Sequence, residues 1–226
     1  MTTDKYVFFW GGEFSQWFPS KFIIANKQYL YAEQWMMAEK ARAFNDIEML
    51  DKIMASKEPR AMKGYGRLVK NYDEDVWSKI RYEVVVKGNL AKFSQNDSLR
   101  NILLNTNDKI LVEASPHDTI WGIGLGDWNE DILDESKWRG QNLLGKALME
   151  VREKLKADDG VYEAKKELAG RGVNLMLINK QTADKHWLWH RQYSSIDEYY
   201  ECPSCGAKFD DVNGWNFCPA CGERVD

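Results

Sequence analysis

Two short cysteine motifs near the end of the chain restrict its fold more than any other feature: Cys202-Pro203-Ser204-Cys205-Gly206 and Cys218-Pro219-Ala220-Cys221-Gly222. Each C-x₂-C pair can set two thiolates on one side of a tight turn, and the glycine that follows permits positive φ. Two such turns complete a tetrahedral four-sulfur shell, which suits Zn²⁺. Four thiolates leave no open coordination position, so the expected zinc is structural and folds residues 201–226 into a small zinc ribbon. Thiol–disulfide exchange is the competing reading of a C-x₂-C, but two matched pairs without a thioredoxin-like βαβ context speak against it. No other cysteine occurs among the 226 residues. None is left for a disulfide framework, and the expected setting is a reducing, cytoplasmic one.

The rest of the chain is long enough for one domain of about 150 residues. Ten Trp, ten Tyr and nine Phe supply a large apolar payload, which excludes global disorder. The net charge is −4 with no basic block, so tight charge-driven nucleic-acid binding is not indicated. No apolar run approaches the ~20 residues of a membrane helix, and the N-terminus does not read as a signal peptide.

Residues 5–10 read as a strand, and residues 22–30 hold a second around Phe22, Ile23 and Ile24, with a turn near Asn26. A helix follows Tyr31, with Glu33, Met37 and Lys40 on one face and Tyr31, Trp35, Ala38 and Arg42 on another. Asn45 with Glu48 predicts a capped helix over 46–55. Pro59 opens a short helix ending near Gly64. Asp73 caps a long helix, weakened by the Val84-Val85-Val86 run. Asp97 or Ser98 starts another, through Leu104. Residues 109–113 read as a buried strand, 115–139 as a long loop, and Asn142 onward as a closing helix. The expected domains are 1–157, mainly helical with a few strands and therefore α+β, a connector over 158–200, and the ribbon over 201–226. Within the connector, residues 161–169 read as a helix and Val173 to Ile178 as a strand.

Three stretches concentrate aromatic and polar residues beyond what core packing needs. They are Phe9-Trp10-Gly11-Gly12-Glu13-Phe14-Ser15, Tyr31-Ala32-Glu33-Gln34-Trp35 through Ala41, and Ser115-Pro116-His117-Asp118-Thr119-Ile120-Trp121-Gly122-Ile123-Gly124-Leu125. The last is followed by Gly140-Gln141-Asn142-Leu143-Leu144-Gly145. In this order, over about residues 6–156, the segments resemble the NADAR family, also called YbiA-like.

The resemblance implies an α+β domain that hydrolyses N-glycosidic bonds. Relatives act on phosphorylated ribosylpyrimidine intermediates of riboflavin synthesis or remove ADP-ribose from modified guanine, and the family has been proposed to bind NAD or ADP-ribose derivatives. It implies Glu33 as the helix acid of the active site, Asp118, Trp121 and Gly122 as the loop signature, Asn142 and Gly145 as the closing motif, and Arg67 as part of a Gly-Arg element. The sequence departs from some relatives at Ile123, where they carry Asp.

The chemistry agrees. Breaking an N-glycosidic bond builds positive charge on the ribose, which a carboxylate can stabilise while activating water. Glu33 is the candidate for that carboxylate, and Asp118 for orienting substrate or assisting proton transfer. Trp121 could stack on a base. Arg67 or Lys63 could pair with a phosphate. Phe9 and Trp10 could line the pocket. Each has a plain structural alternative: Glu33 favoured by the helix dipole, Asp118 capping a turn, Asn142 an N-cap, and the aromatics core. The expected ligand is a phosphorylated riboside or an ADP-ribose derivative, with no redox cofactor and no membrane partner. The ribbon could contact nucleic acid or a protein. Two other function classes stay open: an ADP-ribose-binding module without turnover, and an ADP-ribosyl hydrolase on nucleic acid. His186 and His190, at i and i+4, lack an evident third metal ligand.

Overall fold

The computed structural model describes residues 1–158, 200–201 and 208–209. The chain divides into two units, Met1–Asp159 and Gly160–Asp226. In the second unit a short strand β5 (Tyr200–Glu201) pairs antiparallel with β6 (Lys208–Phe209). The four cysteines, both histidines and the expected elements over 161–178 lie outside the described residues.

The first unit opens with β1 (Tyr6–Phe9), followed by a hairpin of β2 (Phe22–Ile24) and β3 (Lys27–Tyr29). The two turn residues, Ala25 and Asn26, both take positive φ, which matches the twist of a tight two-residue hairpin. Five helices come next: α1 (Ala32–Ala43), α2 (Ile47–Ala55), α3 (Pro59–Arg67), α4 (Glu74–Ser94) and α5 (Asp97–Leu104). Strand β4 (Ile110–Glu113) then pairs parallel with β1, Phe9 standing opposite Glu113, and α6 (Leu143–Ala157) closes the unit. This is an α+β arrangement in which helices dominate.

The centre of the unit is α1, packed against α2, α3 and α4. Eight of its twelve residues are buried, including Glu33 and Gln34. Buried polar groups need partners. Gln34 meets this by accepting from the Leu30 amide at 2.7 Å and donating to the Ile53 carbonyl at 3.1 Å. Trp35 donates its indole N–H to the Val84 carbonyl at 2.7 Å, with its ring where a Cβ on Gly88 would stand. On the α3 side, Met37 occupies the space above Gly66, so the two helices approach closely. Each fully buried aliphatic side chain here, such as Ile53, Val85 or Leu144, contributes about 1.5–3 kcal/mol of transfer free energy.

Several boundaries differ from the sequence expectation. The cap of α2 is Asp46, whose side chain accepts from the Met49 amide, while Asn45 turns the chain with a φ of 54°. Helix α3 runs past Gly64 to Arg67 because the Gly66–Met37 contact rewards continuing it. The Val84-Val85-Val86 run stays helical because Val85 and Val86 are buried in the core, a tertiary gain that outweighs rotamer loss. The loop over 115–139 contains two short 3-10 turns, Glu130–Leu133 and Glu135–Lys137.

Candidate active site

Strand alternation sends Leu111 and Val112 to different apolar clusters, Leu111 to the large helical core and Val112 to a smaller one with Tyr6, Phe8 and Ile123. With period two, Glu113 shares the face of Leu111, the face of the large helical core. There it enters a group of charged side chains drawn from four elements.

Glu33 sits in the first turn of α1, only 2% exposed, with Oε1 lacking a hydrogen-bond partner among the described residues. Its backbone N–H, one of the unpaired donors at a helix start, is taken by the Gln16 carbonyl at 3.0 Å. Burial pushes the Glu33 carboxyl up to about 7. The positive charge of Lys63, the indole N–H donor of Trp17 and the charge of Arg67 pull it back, while the charge of Asp118 adds to the rise. Lys63 and Gly66 lie on one face of α3, as Glu33 and Met37 do on α1, so the Gly66–Met37 contact brings ammonium and carboxyl together. The Lys63 ammonium also stands 5.8 Å from the Trp17 ring centroid.

The loop that carries Trp17 is held from α4. Lys92, fully buried, donates to the carbonyls of Glu13 at 2.7 Å and Ser15 at 2.9 Å. Asn89 donates to Gln16 Oε1 at 3.0 Å. Burial lowers the Lys92 ammonium to about 7. Both its charged and its neutral form can donate the two hydrogen bonds.

Glu113 was not singled out by the sequence. Its Oε2 is buried and, among the described residues, has no partner. Burial raises its carboxyl to about 8, the charges of Asp118 and Glu33 adding to the rise and that of Lys63 opposing it. Its backbone is fixed on both sides, the amide donating to Asn142 Oδ1 at 3.0 Å and the carbonyl accepting from the Ile123 amide at 3.0 Å.

Of the residues expected from sequence, the structure thus brings together Glu33, Asp118, Lys63 and Arg67. Asp118 spends Oδ1 on the amides of Ile120 at 2.9 Å and Trp121 at 2.8 Å, so it also shapes the loop. A Cβ on Gly122 would come 2.9 Å from the Glu113 carbonyl oxygen, which is why the loop can lie against the strand only with glycine there. Asn142, in the left-handed region, clamps β4 by bonding the Glu113 amide and the Leu111 carbonyl. Its side chain is used in framing the site. Phe9 belongs to the core, its ring 5.5 Å from that of Phe14. Trp121 is half-buried against the same core. Trp10 is 54% exposed beside Trp128, which is more exposed still. Ile123, at the position of divergence, is fully buried in the smaller cluster and outside the charged group.

The NADAR domain profile matches residues 8–156, a span that contains every member of this charged group. The chain belongs to the NADAR domain family. It is 45% identical over 166 residues to N-glycosidase R617 of Acanthamoeba polyphaga mimivirus, covering 68% of this chain and 98% of that protein. It is 29% identical over 155 residues to N-glycosidase Npun_R5314 of Nostoc punctiforme, covering 67% and 92%. Among solved structures it is similar to the NMR structure of the Escherichia coli protein YbiA, with a TM-score of 0.58 and 27% identity over 70% of this chain and 89% of that one. The NADAR fold is therefore the frame on which the carboxylate pair is built.

Proposed function

We propose that this NADAR chain hydrolyses the bond between ribose and a base or amine in a phosphorylated riboside, with Glu33 as the carboxylate that activates water and stabilises the ribosyl cation. That it is a hydrolase acting on N-glycosyl bonds follows from its relatives named N-glycosidase, one of which it matches over nearly that protein's whole length. The observation that carries the role of Glu33 is its buried Oε1, desolvated and unpartnered among the described residues, at a rigid helix start. A carboxylate so placed attracts developing positive charge far more strongly than one in water. Its pKa near 7 also gives a base able to take a proton from water at neutral pH.

Lys63 and Arg67, one turn apart on α3, supply positive charge beside Glu33 and suit a ribose phosphate. Asp118 holds the loop and adds negative charge to the cluster. Trp17 orients the Glu33 carboxyl. The exposed Trp10 offers a flat apolar surface at the end of β1 for a base.

For the tail, Cys202, Cys205, Cys218 and Cys221 are assigned to one structural zinc. The first pair falls in the sequence between β5 and β6, two strands that pair antiparallel, the setting in which a C-x₂-C turn presents both thiolates together. The zinc supplies folding energy to residues 201–226 and takes no part in the hydrolysis.

The test is incubation of the full chain with ribosylaminopyrimidine phosphate, NAD, ADP-ribose and ADP-ribosylated DNA, reading released base or sugar by mass spectrometry. Release from the aminopyrimidine riboside supports the proposal. Release only from the DNA adduct moves the substrate to modified nucleic acid. Thermal stabilisation by ADP-ribose without any product makes the domain a binding module and contradicts the proposal.

A further inference from the structure

Resting on the N-glycosidase reading above, we infer that Glu113 is a second catalytic residue, the acid that protonates the departing nitrogen while Glu33 takes the proton of the attacking water.

N-glycosidic cleavage has two ends. At the sugar, the C1′–N bond breaks, its electron pair goes to nitrogen, and a water oxygen forms the new bond to C1′. At the base, an amine or amide-like nitrogen leaves poorly as an anion and needs a proton. The balance requires one group that accepts a proton from water and one that donates a proton to nitrogen. The two then return to their starting states by passing one proton back from Glu33 to Glu113.

The charged group contains three carboxyls, and their surroundings separate their tasks. Asp118 accepts two backbone N–H groups on one oxygen. That satisfies a carboxylate and ties it to the loop, a poor arrangement for a proton donor. Glu33 and Glu113 each keep a buried oxygen without a partner among the described residues, so both are free to meet a substrate atom. Glu33 has Trp17, Lys63 and Arg67 on the side that favours its charged form. Glu113 is faced by the negative charges of Asp118 and Glu33, with Lys63 as the opposing cation. Ionising both glutamates costs more than ionising one, and the surroundings decide that Glu33 gives up its proton first. Geometry fixes Glu113 as well. Its amide is held by Asn142 and its carbonyl by Ile123, and the whole residue stands at the end of a strand paired to β1. The directions agree, burial raising both carboxyls, Glu33 to about 7 and Glu113 to about 8, so a form with one carboxylate and one carboxylic acid is accessible near neutral pH.

The test uses the full chain with two probes. Ribosylaminopyrimidine phosphate has a nitrogen that must be protonated as it leaves. Nicotinamide mononucleotide expels a neutral pyridine that needs no proton. Glu113→Gln is expected to lose roughly 10²–10⁴-fold in turnover of the first, the usual scale for a general acid, and to spare turnover of the second. Equal loss on both probes, or full activity on the first, overturns the inference. The wild-type pH profile decides independently of whether the variant folds, and also where only the aminopyrimidine is turned over. For the aminopyrimidine, kcat/KM should fall above about pH 8; a profile flat through that range overturns the inference. A wild-type chain inert toward both probes is a different failure, since it removes the N-glycosidase reading itself.

Discussion

Glu113, at the last position of β4, lies within reach of the charge of Glu33, in the first turn of α1, and each has one buried oxygen unpartnered among the described residues. Two carboxyls held dry and near each other are costly for a fold. The family context gives that cost a purpose, and the following expectations come from it.

Removing the Glu33 charge should abolish function and help the fold. Glu33→Gln should reduce turnover by roughly 10²–10⁴-fold. The sign of the stability effect follows from linkage. The Glu33 carboxyl ionises near 7 when folded and near the ordinary 4.5 when unfolded. Between these values the unfolded chain releases the proton first, so wild-type stability falls as pH rises from about 4.5 through 7. Glu33→Gln should therefore match wild type near pH 4 and exceed it by on the order of 1–3 kcal/mol above pH 8. Urea unfolding at the two pH values checks this; a variant that is less stable at pH 8 would contradict it.

Lys92 should act through the loop that carries Trp17. Lys92→Met leaves the carbonyls of Glu13 and Ser15 without their donor, a loss of about 1–3 kcal/mol per unsatisfied group. The Lys92 ammonium titrates near 7 when folded and near 10.5 when unfolded, so the stability it confers is weakest below pH 7 and grows toward pH 10.5. The destabilisation in Lys92→Met should be larger at pH 10 than at pH 6, with a fall in kcat at both. Equal melting temperatures for variant and wild type at pH 10 would rule out the tether.

Gly145 should not tolerate a side chain. A Cβ there would come 2.1 Å from the Leu111 carbonyl oxygen and 2.5 Å from Asn142 Oδ1, the clamp that holds β4 to α6. Neither neighbour is free to move. Gly145→Ala should cost more than about 3 kcal/mol, measured by chemical denaturation, and should depress activity by displacing Glu113.

The tail should carry metal independently of the chemistry. Purified chain should contain one zinc, and replacing Cys202 and Cys205 by Ser should remove it while leaving hydrolysis and the melting transition of residues 1–157 unchanged. Zinc-free wild-type protein that still gives a folded tail by NMR would refute the assignment.

Much of the frame could be read from residue order. Asp73 does cap α4, residues 110–113 do form a strand, and the strand at Phe22–Ile24 does turn at Asn26, while its pairing with the return strand Lys27–Tyr29 is not legible in the residue order. What escaped was set by tertiary packing. The Val84-Val85-Val86 run weakens the helix expected after Asp73 until the burial of Val85 and Val86 in the helical core is known. Helix α1 is buried nearly all round, so its periodicity says little about which side carries the site. Glu33 was found through the family motif. Glu113 was not found, because an acid at a strand end reads as the polar edge of an apolar run. Only the pairing with β1 and the close approach of the Gly122 loop show its oxygen to be enclosed.

In the proposed reaction the buried Glu33 carboxylate directs water to C1′ of a riboside. Its most direct test is hydrolysis of ribosylaminopyrimidine phosphate in ¹⁸O-labelled water, wild type beside Glu33→Gln. Wild type should release the free base with ¹⁸O at C1′ of the sugar phosphate, and folded Glu33→Gln should release almost none. Equal release by the variant, or a sugar product without the label, would contradict it.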